Sequence, residues 1–381
     1  MATYGVAGAY SGTYPETAAI YPPVTMYGYR IAGWVYRRGF DPAFDMEAAL
    51  NSHALTVLVK LVAVVPHLVL SLAIFGLLYR RYGAPSALLA TAAFALNPAA
   101  IFDAAFWGQP DAVHAGFLLI AIYLWEEDKP LAGYAFVGLA AATKPQAWAL
   151  FPFLAYISVR RFGLVKTVLG GVVAGAVSLA VCLPYIVYGT FSELFVLPRL
   201  IAETMPVASA NAHNVWWILT NARPDFVPDA DPLFGSVTYR QAAAALSLSL
   251  MAFVVWRTDV WGRDGRLSAT AAYLAFGWFL FTTRAHENHA FFALPLLVIA
   301  TPRSRFAWVM YGLLSLTLFL NMTFHDYGLE EARASLFEPD TWRRLQLLNA
   351  GANVLLFVAW SVQIWRQRQS ARTSAAVATP Y

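Results

Sequence analysis

Apolar runs separated by short polar turns repeat along most of this chain, at about 55–79, 86–102, 112–125, 131–143, 147–159, 165–188, 240–256, 267–281, 290–301, 306–322 and 345–365. Stretches of this kind predict spanning helices, about eleven of them. Several are shorter than the roughly 20 residues that a hydrocarbon crossing takes. Those include flanking residues, stop short of one interface or are shielded by neighbours. The predicted fold is therefore an all-α polytopic membrane bundle. Gly171 and Gly175 form a small-xxx-small pair, which predicts a close helix contact.

Residues 21–36 are apolar but carry Arg30 and open on Pro22 and Pro23. Proline is well tolerated where a helix starts, so this stretch predicts an interfacial helix lying along the outer face. One membrane domain is expected over 1–366. Its first part, 1–51, is an outer-face loop with the interfacial helix; the bundle follows over 52–366 with an outer loop at 189–239. A disordered cytoplasmic tail is expected over 367–381.

Composition agrees with the pattern. Of 381 residues, 59% are hydrophobic and only 13% charged, roughly half the charged fraction of a soluble domain. Mean hydropathy is +0.54. The single cysteine, Cys182, excludes a disulfide framework. A net charge of +4 suggests no nucleic-acid partner. The first residues, 1–13, lack the basic and apolar regions of a signal peptide.

Charge placement orients the bundle. Arg80-Arg81, Arg160-Arg161-Lys166, Arg257-Arg263-Arg266, Arg303-Arg305 and Arg366-Arg368-Arg372 occupy alternate loops. The positive-inside rule puts these loops and the C-terminus in the cytoplasm. The external face then collects the polar knot Trp107-Gly108-Gln109-Pro110-Asp111, Lys144, the 189–239 loop and the turn Arg284-Ala285-His286-Glu287-Asn288-His289. This predicts one outward-facing site.

Each candidate has a plain alternative. Asp111 suits an acid–base or recognition role, but Asp also caps helices. Lys144 suits a phosphate as a compact cation, or snorkels to the interface. Arg284, His286 and His289 suit phosphate recognition, with Glu287 beside them; solvation of a helix end is the plain reading. His-Glu-Asn-His lacks the zincin spacing of His-Glu-x-x-His, so no metal is expected. Asn211, Asn214 and Trp216, with Trp217, read equally as a sugar-binding edge or as interfacial belt residues. Asp229-Ala230-Asp231, flanked by Pro228 and Pro232, reads as a solvated turn. No Walker loop, nucleophile elbow or redox cysteine pair is present.

Taken in order, these segments resemble the GT-C-fold glycosyltransferases, integral membrane enzymes that use polyprenyl-phosphate-linked sugars. The resemblance is closest to dolichyl-phosphate-glucose-dependent glucosyltransferases and to bacterial and archaeal mannosyltransferase-like proteins. It rests on Tyr21-Pro22-Pro23-Val24-Thr25-Met26-Tyr27, Asn97-Pro98, Trp107 to Asp111, Lys144 with Phe151-Pro152, Asn211 to Trp216, and His286-Glu287 with Leu294-Pro295. The resemblance implies a GT-C-like helical bundle and transfer of a hexose from a polyprenyl-phosphate sugar to a lipid-linked glycan or protein acceptor. It implies no metal or other cofactor, a prokaryotic plasma membrane and an external active face. Asp111, His286 and Glu287 are then the expected catalytic residues. Tyr21, Pro22, Trp107, Gln109, Lys144, Asn211, Asn214, Trp216, Arg284 and His289 are the expected substrate contacts.

One departure matters. In such enzymes a first helix and a catalytic Asp precede the Tyr-Pro-Pro element, whereas here only twenty residues precede Tyr21 and Glu16 is their sole acid. The resemblance therefore implies a chain lacking its first helix and principal base, with Asp111 as second carboxylate. Two rival functions follow: a lipid-sugar or solute transporter or flippase, and a catalytically inactive sugar-lipid binding protein.

Overall fold

The computed structural model describes residues 21–195, 197, 199, 203, 205–223, 226–258 and 265–377, with side chains to 366. The expectations about residues 1–13, Glu16, Arg263, the Arg368 and Arg372 side chains and the last residues of the tail lie outside that set. The chain divides into two compact units, Met1–Met205 and Pro206–Tyr381, where the sequence reading has one domain over 1–366. Both are built of helices; a two-stranded hairpin, β1 (Pro232–Phe234) and β2 (Val237–Thr238), is the one sheet among the described residues.

In the first unit, α1 (Pro23–Gly39) begins where the two prolines place it, with Pro22 as N-cap. A short α2 (Met46–Leu50) leads into the long apolar α3 (His53–Tyr82). Gly28 lets α1 approach α3 closely, because a Cβ there would lie 2.5 Å from Val62 Cγ1.

The run expected as a single span at 86–102 is broken. Helix α4 (Ala84–Ala95) stops, and α5 (Pro98–Ile101) restarts and passes into a π-helical turn, Phe102–Trp107. The bend is 49°. Its cause is local: Pro98 has no N–H to continue the helix. Asn97 instead caps the new start, accepting from the Ala99 and Ala100 amides at 2.9 and 3.3 Å.

Helices α6 (Asp111–Glu126), α7 (Pro130–Ala141), α8 (Phe151–Phe162) and α9 (Leu164–Val187) follow in this unit. A 3-10 turn, Pro145–Leu150, takes the first part of the span expected at 147–159. The close glycine contacts are not the expected ones. A Cβ on Gly171 or Gly175 would meet nothing within 4 Å, whereas one on Gly170 would strike the Tyr134 ring and one on Gly138 the Ala174 backbone. Register explains this: a one-residue step turns a helical side chain by about 100°, onto another face.

In the second unit, α10 (Val215–Leu219) precedes the hairpin, followed by α11 (Tyr239–Arg257) and α12 (Arg266–Phe281). Helix α13 (Ala293–Val298) is only 6 residues and wholly buried, within the run expected at 290–301. Then come α14 (Arg305–His325), α15 (Glu330–Leu336) and α16 (Pro339–Val377). The last helix therefore continues into the stretch expected to be tail.

Among the described residues, five helices (α3, α9, α11, α14 and, through Arg366, α16) are long and apolar enough to cross a membrane, or six with the broken pair as one span. The other apolar runs form helices of 16 residues or fewer, so eleven spans are not shown by helix length.

A buried polar network anchors the start of the second unit. Asn321 accepts from the His213 amide at 2.8 Å and donates to Asn211 O at 2.7 Å. Asn349 Nδ2 donates to Thr317 O at 2.9 Å and stands 2.7 Å from His213 Nδ1. An amide nitrogen only donates, so Nδ1 accepts and the His213 proton sits on Nε2. That atom faces His325 Nε2 at 3.0 Å. Asn353 donates to His213 O at 2.9 Å.

Candidate functional site

In the first unit the polar knot is shaped by its backbone. Asp103 O accepts from both the Gly108 and the Gln109 amide, at 3.0 and 2.9 Å. Gly108 takes φ +83, a left-handed value that glycine adopts at little cost. The chain thereby turns sharply out of the π-helical segment. Asp111 becomes the first residue of α6, with Pro110 rather than Asp111 as N-cap. Its carboxylate still stands at a helix N-terminus, where negative charge is favoured.

Lys144 is not snorkelling. It is 3% exposed, and its ammonium pairs with the Asp111 carboxylate, itself buried. Gln109 Oε1 lies 3.5 Å from the ammonium and accepts from the Tyr21 hydroxyl at 3.1 Å. The ammonium also stands 5.7 Å from the Tyr21 ring centroid. His114 Nδ1 is 3.8 Å from Asp111 Oδ1. Burial alone would push the Lys144 pKa down, but the fields of Asp111, Tyr21 and Asp103 outweigh it and hold the ammonium above its ordinary value.

The structure thus brings Tyr21, Gln109, Asp111 and Lys144 together. Pro22 is buried beside them in sequence, and Trp107 is half-buried on the turn. Two anchors hold the start of α1 next to Tyr21: Val24 N donates to Ala142 O at 2.9 Å, and Thr25 Oγ1 to Thr143 O at 2.8 Å. Asp103, fully buried in the π-helical turn, escaped the sequence reading. A carboxylate inside an apolar run was the signal that could have found it.

In the second unit Asp229 overturns the solvated-turn expectation. Its side chain is sealed from solvent and takes two guanidinium groups, with Arg240 Nη2 at 2.6 Å and Arg284 Nε at 2.7 Å. Thr283 Oγ1 adds a contact at 3.3 Å. Burial would raise the Asp229 pKa, yet the two arginines more than offset it and hold the carboxyl below its ordinary value.

Backbone bonds set this up. Asp229 N donates to Pro206 O, Arg284 N to Val207 O and Ala210 N to Ala285 O, each at 2.9 Å. Arg284 sits at φ +64, a left-handed conformation that costs a non-glycine residue about 1–3 kcal/mol and clusters at functional sites. His286 remains 38% exposed, with Glu287 Oε2 at 3.7 Å from its Nδ1. Glu287 Oε2 is buried without a hydrogen-bond partner among the described residues. His289 Nδ1 accepts from the His286 amide at 3.1 Å.

Asn214 and Trp216 are internal posts rather than a binding edge or a belt. Asn214 caps α10 through Trp217 N at 3.1 Å and donates to Phe279 O at 3.3 Å. Trp216 is 1% exposed and donates to Phe281 O at 2.9 Å. Asn211 is half-buried, at φ +64, and bridges to His286. Among the described residues no group of three or more His, Cys, Asp or Glu is placed to hold a metal ion.

No protein-family model matches this chain, and a search of curated proteins finds no match.

Proposed function

We propose that this chain is a membrane glycosyltransferase that moves a hexose from a polyprenyl-phosphate sugar to an acceptor hydroxyl of a lipid-linked glycan or protein on the outer face. What supports the reading is the buried Asp111–Lys144 pair with Gln109 and Tyr21 around it. An ion pair taken out of water loses solvation that its attraction only partly returns, so keeping one between apolar helices points to chemistry rather than stability.

In this reaction the acceptor oxygen forms a bond to the anomeric carbon as its proton passes to a carboxylate. The anomeric carbon–phosphate oxygen bond breaks, and the phosphate departs with the electron pair. Asp111 is the carboxylate for the proton. Lys144 pairs with that carboxylate and holds it in position. Gln109 and Tyr21 offer hydrogen bonds to sugar or acceptor hydroxyls.

Membranes carrying the protein should transfer label from a polyprenyl-phosphate sugar, and Asp111→Asn should abolish the transfer. Undiminished transfer in the variant discards this assignment.

One observation favours a second reading. The α4–α5 break places Asn97 and Asp103 in an interrupted span, and broken helices mark transporter substrate sites. A flippase or solute carrier would move labelled lipid or solute across proteoliposomes without forming a glycosidic bond.

A further inference from the structure

Lys144 spends its charge on Asp111, which leaves open which cation of the first unit meets an anion. Lys60 answers that description. It lies in α3, one of the helices apolar enough to cross a membrane, and it is half-buried. Its ammonium donates to Phe106 O at 2.7 Å and stands 5.7 Å from the Phe106 ring centroid. Among the described residues no acid forms an ion pair with it. An ammonium has three donors, and a carbonyl oxygen and a ring face leave its full positive charge uncompensated.

Its position is set by the same turn that presents Gln109. A Cβ added to Gly108 would lie 3.4 Å from Lys60 Cγ and 3.9 Å from its Cα, in ordinary van der Waals contact, so the turn packs against the lysine stem. An ionisable side chain in an apolar spanning helix is costly and marks a ligand or ion pathway by default. Snorkelling to the interface would explain the charge, but not why the chain closes over the stem and turns a carbonyl towards the ammonium.

We propose that Lys60 is an anion-binding residue that takes the phosphate group of a lipid, held beside the Trp107–Gln109 turn. Phosphate is the anion that a membrane supplies to a cation on a spanning helix, either as a substrate's polyprenyl phosphate or as a bilayer phospholipid headgroup. The inference rests on membrane placement; if the glycosyl-transfer reading also holds, this phosphate is the donor's.

The test is thermal stabilisation of the full-length protein in detergent, titrated with polyprenyl phosphate, uncharged polyprenol, phosphatidylglycerol or inorganic phosphate. Polyprenyl phosphate should stabilise the wild type, and polyprenol should not. Lys60→Met should weaken the effect at least about tenfold, the worth of one charge-assisted hydrogen bond, while Lys60→Arg should retain it. An equal shift with phosphatidylglycerol assigns the site to the bilayer, and a shift with polyprenyl phosphate alone assigns it to a substrate. Both support the proposal. Equal stabilisation of wild type by polyprenol overturns it without any variant, so it stays open to refutation should Lys60→Met not fold. Equal stabilisation of a folded Lys60→Met, or by inorganic phosphate regardless of Lys60, overturns it too. Loss of sugar transfer with Lys60-dependent phosphate binding intact would sink only the glycosyltransferase reading.

Discussion

The ammonium of Lys144 hydrogen-bonds the carboxylate of Asp111 inside the first unit, with 4% and 3% of the two side chains exposed. The pair links the turn after the π-helical segment to the segment between α7 and α8, which are separated by 33 residues of chain.

Breaking that pair should cost more than deleting it. Asp111→Asn or Lys144→Met alone strands one buried charge, at about 3–5 kcal/mol. Asp111→Leu combined with Lys144→Met removes both charges and should cost less than the sum of the single changes. Thermal unfolding of the four proteins in detergent gives the coupling, and simple additivity would refute the pairing.

Asp229 ties Arg240 and Arg284 together, so Asp229→Asn should lower stability by about 2 kcal/mol or more, the desolvation of groups left unpaired. The sign with pH follows from the lowered pKa. A carboxyl depressed in the native state contributes fully above its ordinary value of 3.8 and loses that contribution as pH falls through the lower native value. The gap between wild type and Asp229→Asn should therefore narrow on acidification. Melting curves across acid pH check this, and a constant gap contradicts it.

His213 is held neutral by burial first and then by the neighbouring His325, well below its ordinary pKa of 6.5. A depressed pKa gives stability that is complete above 6.5 and declines as pH falls below it, because the unfolded chain takes up a proton that the native state resists. Protonation would also abolish acceptance at Nδ1 from Asn349. Stability should fall between neutral pH and pH of about 5, and His213→Gln should flatten that slope. Parallel slopes in the two proteins count against it.

The glycines of the first unit sort by what surrounds them. Gly138→Ala puts a methyl 2.4 Å from Ala174 O and should cost about 1–3 kcal/mol through displaced backbone. Gly171→Ala and Gly175→Ala meet open space and should be neutral or up to about 1 kcal/mol stabilising, as helix propensity dictates. Comparable losses at all three sites would contradict the packing described.

Much of the first-unit site was legible because its signals are local. Asp111, Gln109 and Lys144 are polar residues at the ends of apolar runs, and the two prolines start α1 where residue chemistry puts them. Asn349 and Asn353 also had a local signal, four residues apart and so on one helix face. Asp229 had none: flanking prolines made it look solvated, and its burial depends on Arg284, 55 residues on.

By itself, the sequence determined a helical, membrane-type chain and the polar residues worth suspecting, since apolar periodicity, caps and proline placement act over a few residues. Tertiary structure alone decided which apolar runs form long helices and which form short ones. It also decided which glycines touch a neighbour, and that Lys144 pairs with Asp111 while Lys60 meets the Phe106 carbonyl. Those outcomes depend on groups far apart in the chain meeting in a low-dielectric interior, where each charge is either matched or left waiting for a partner.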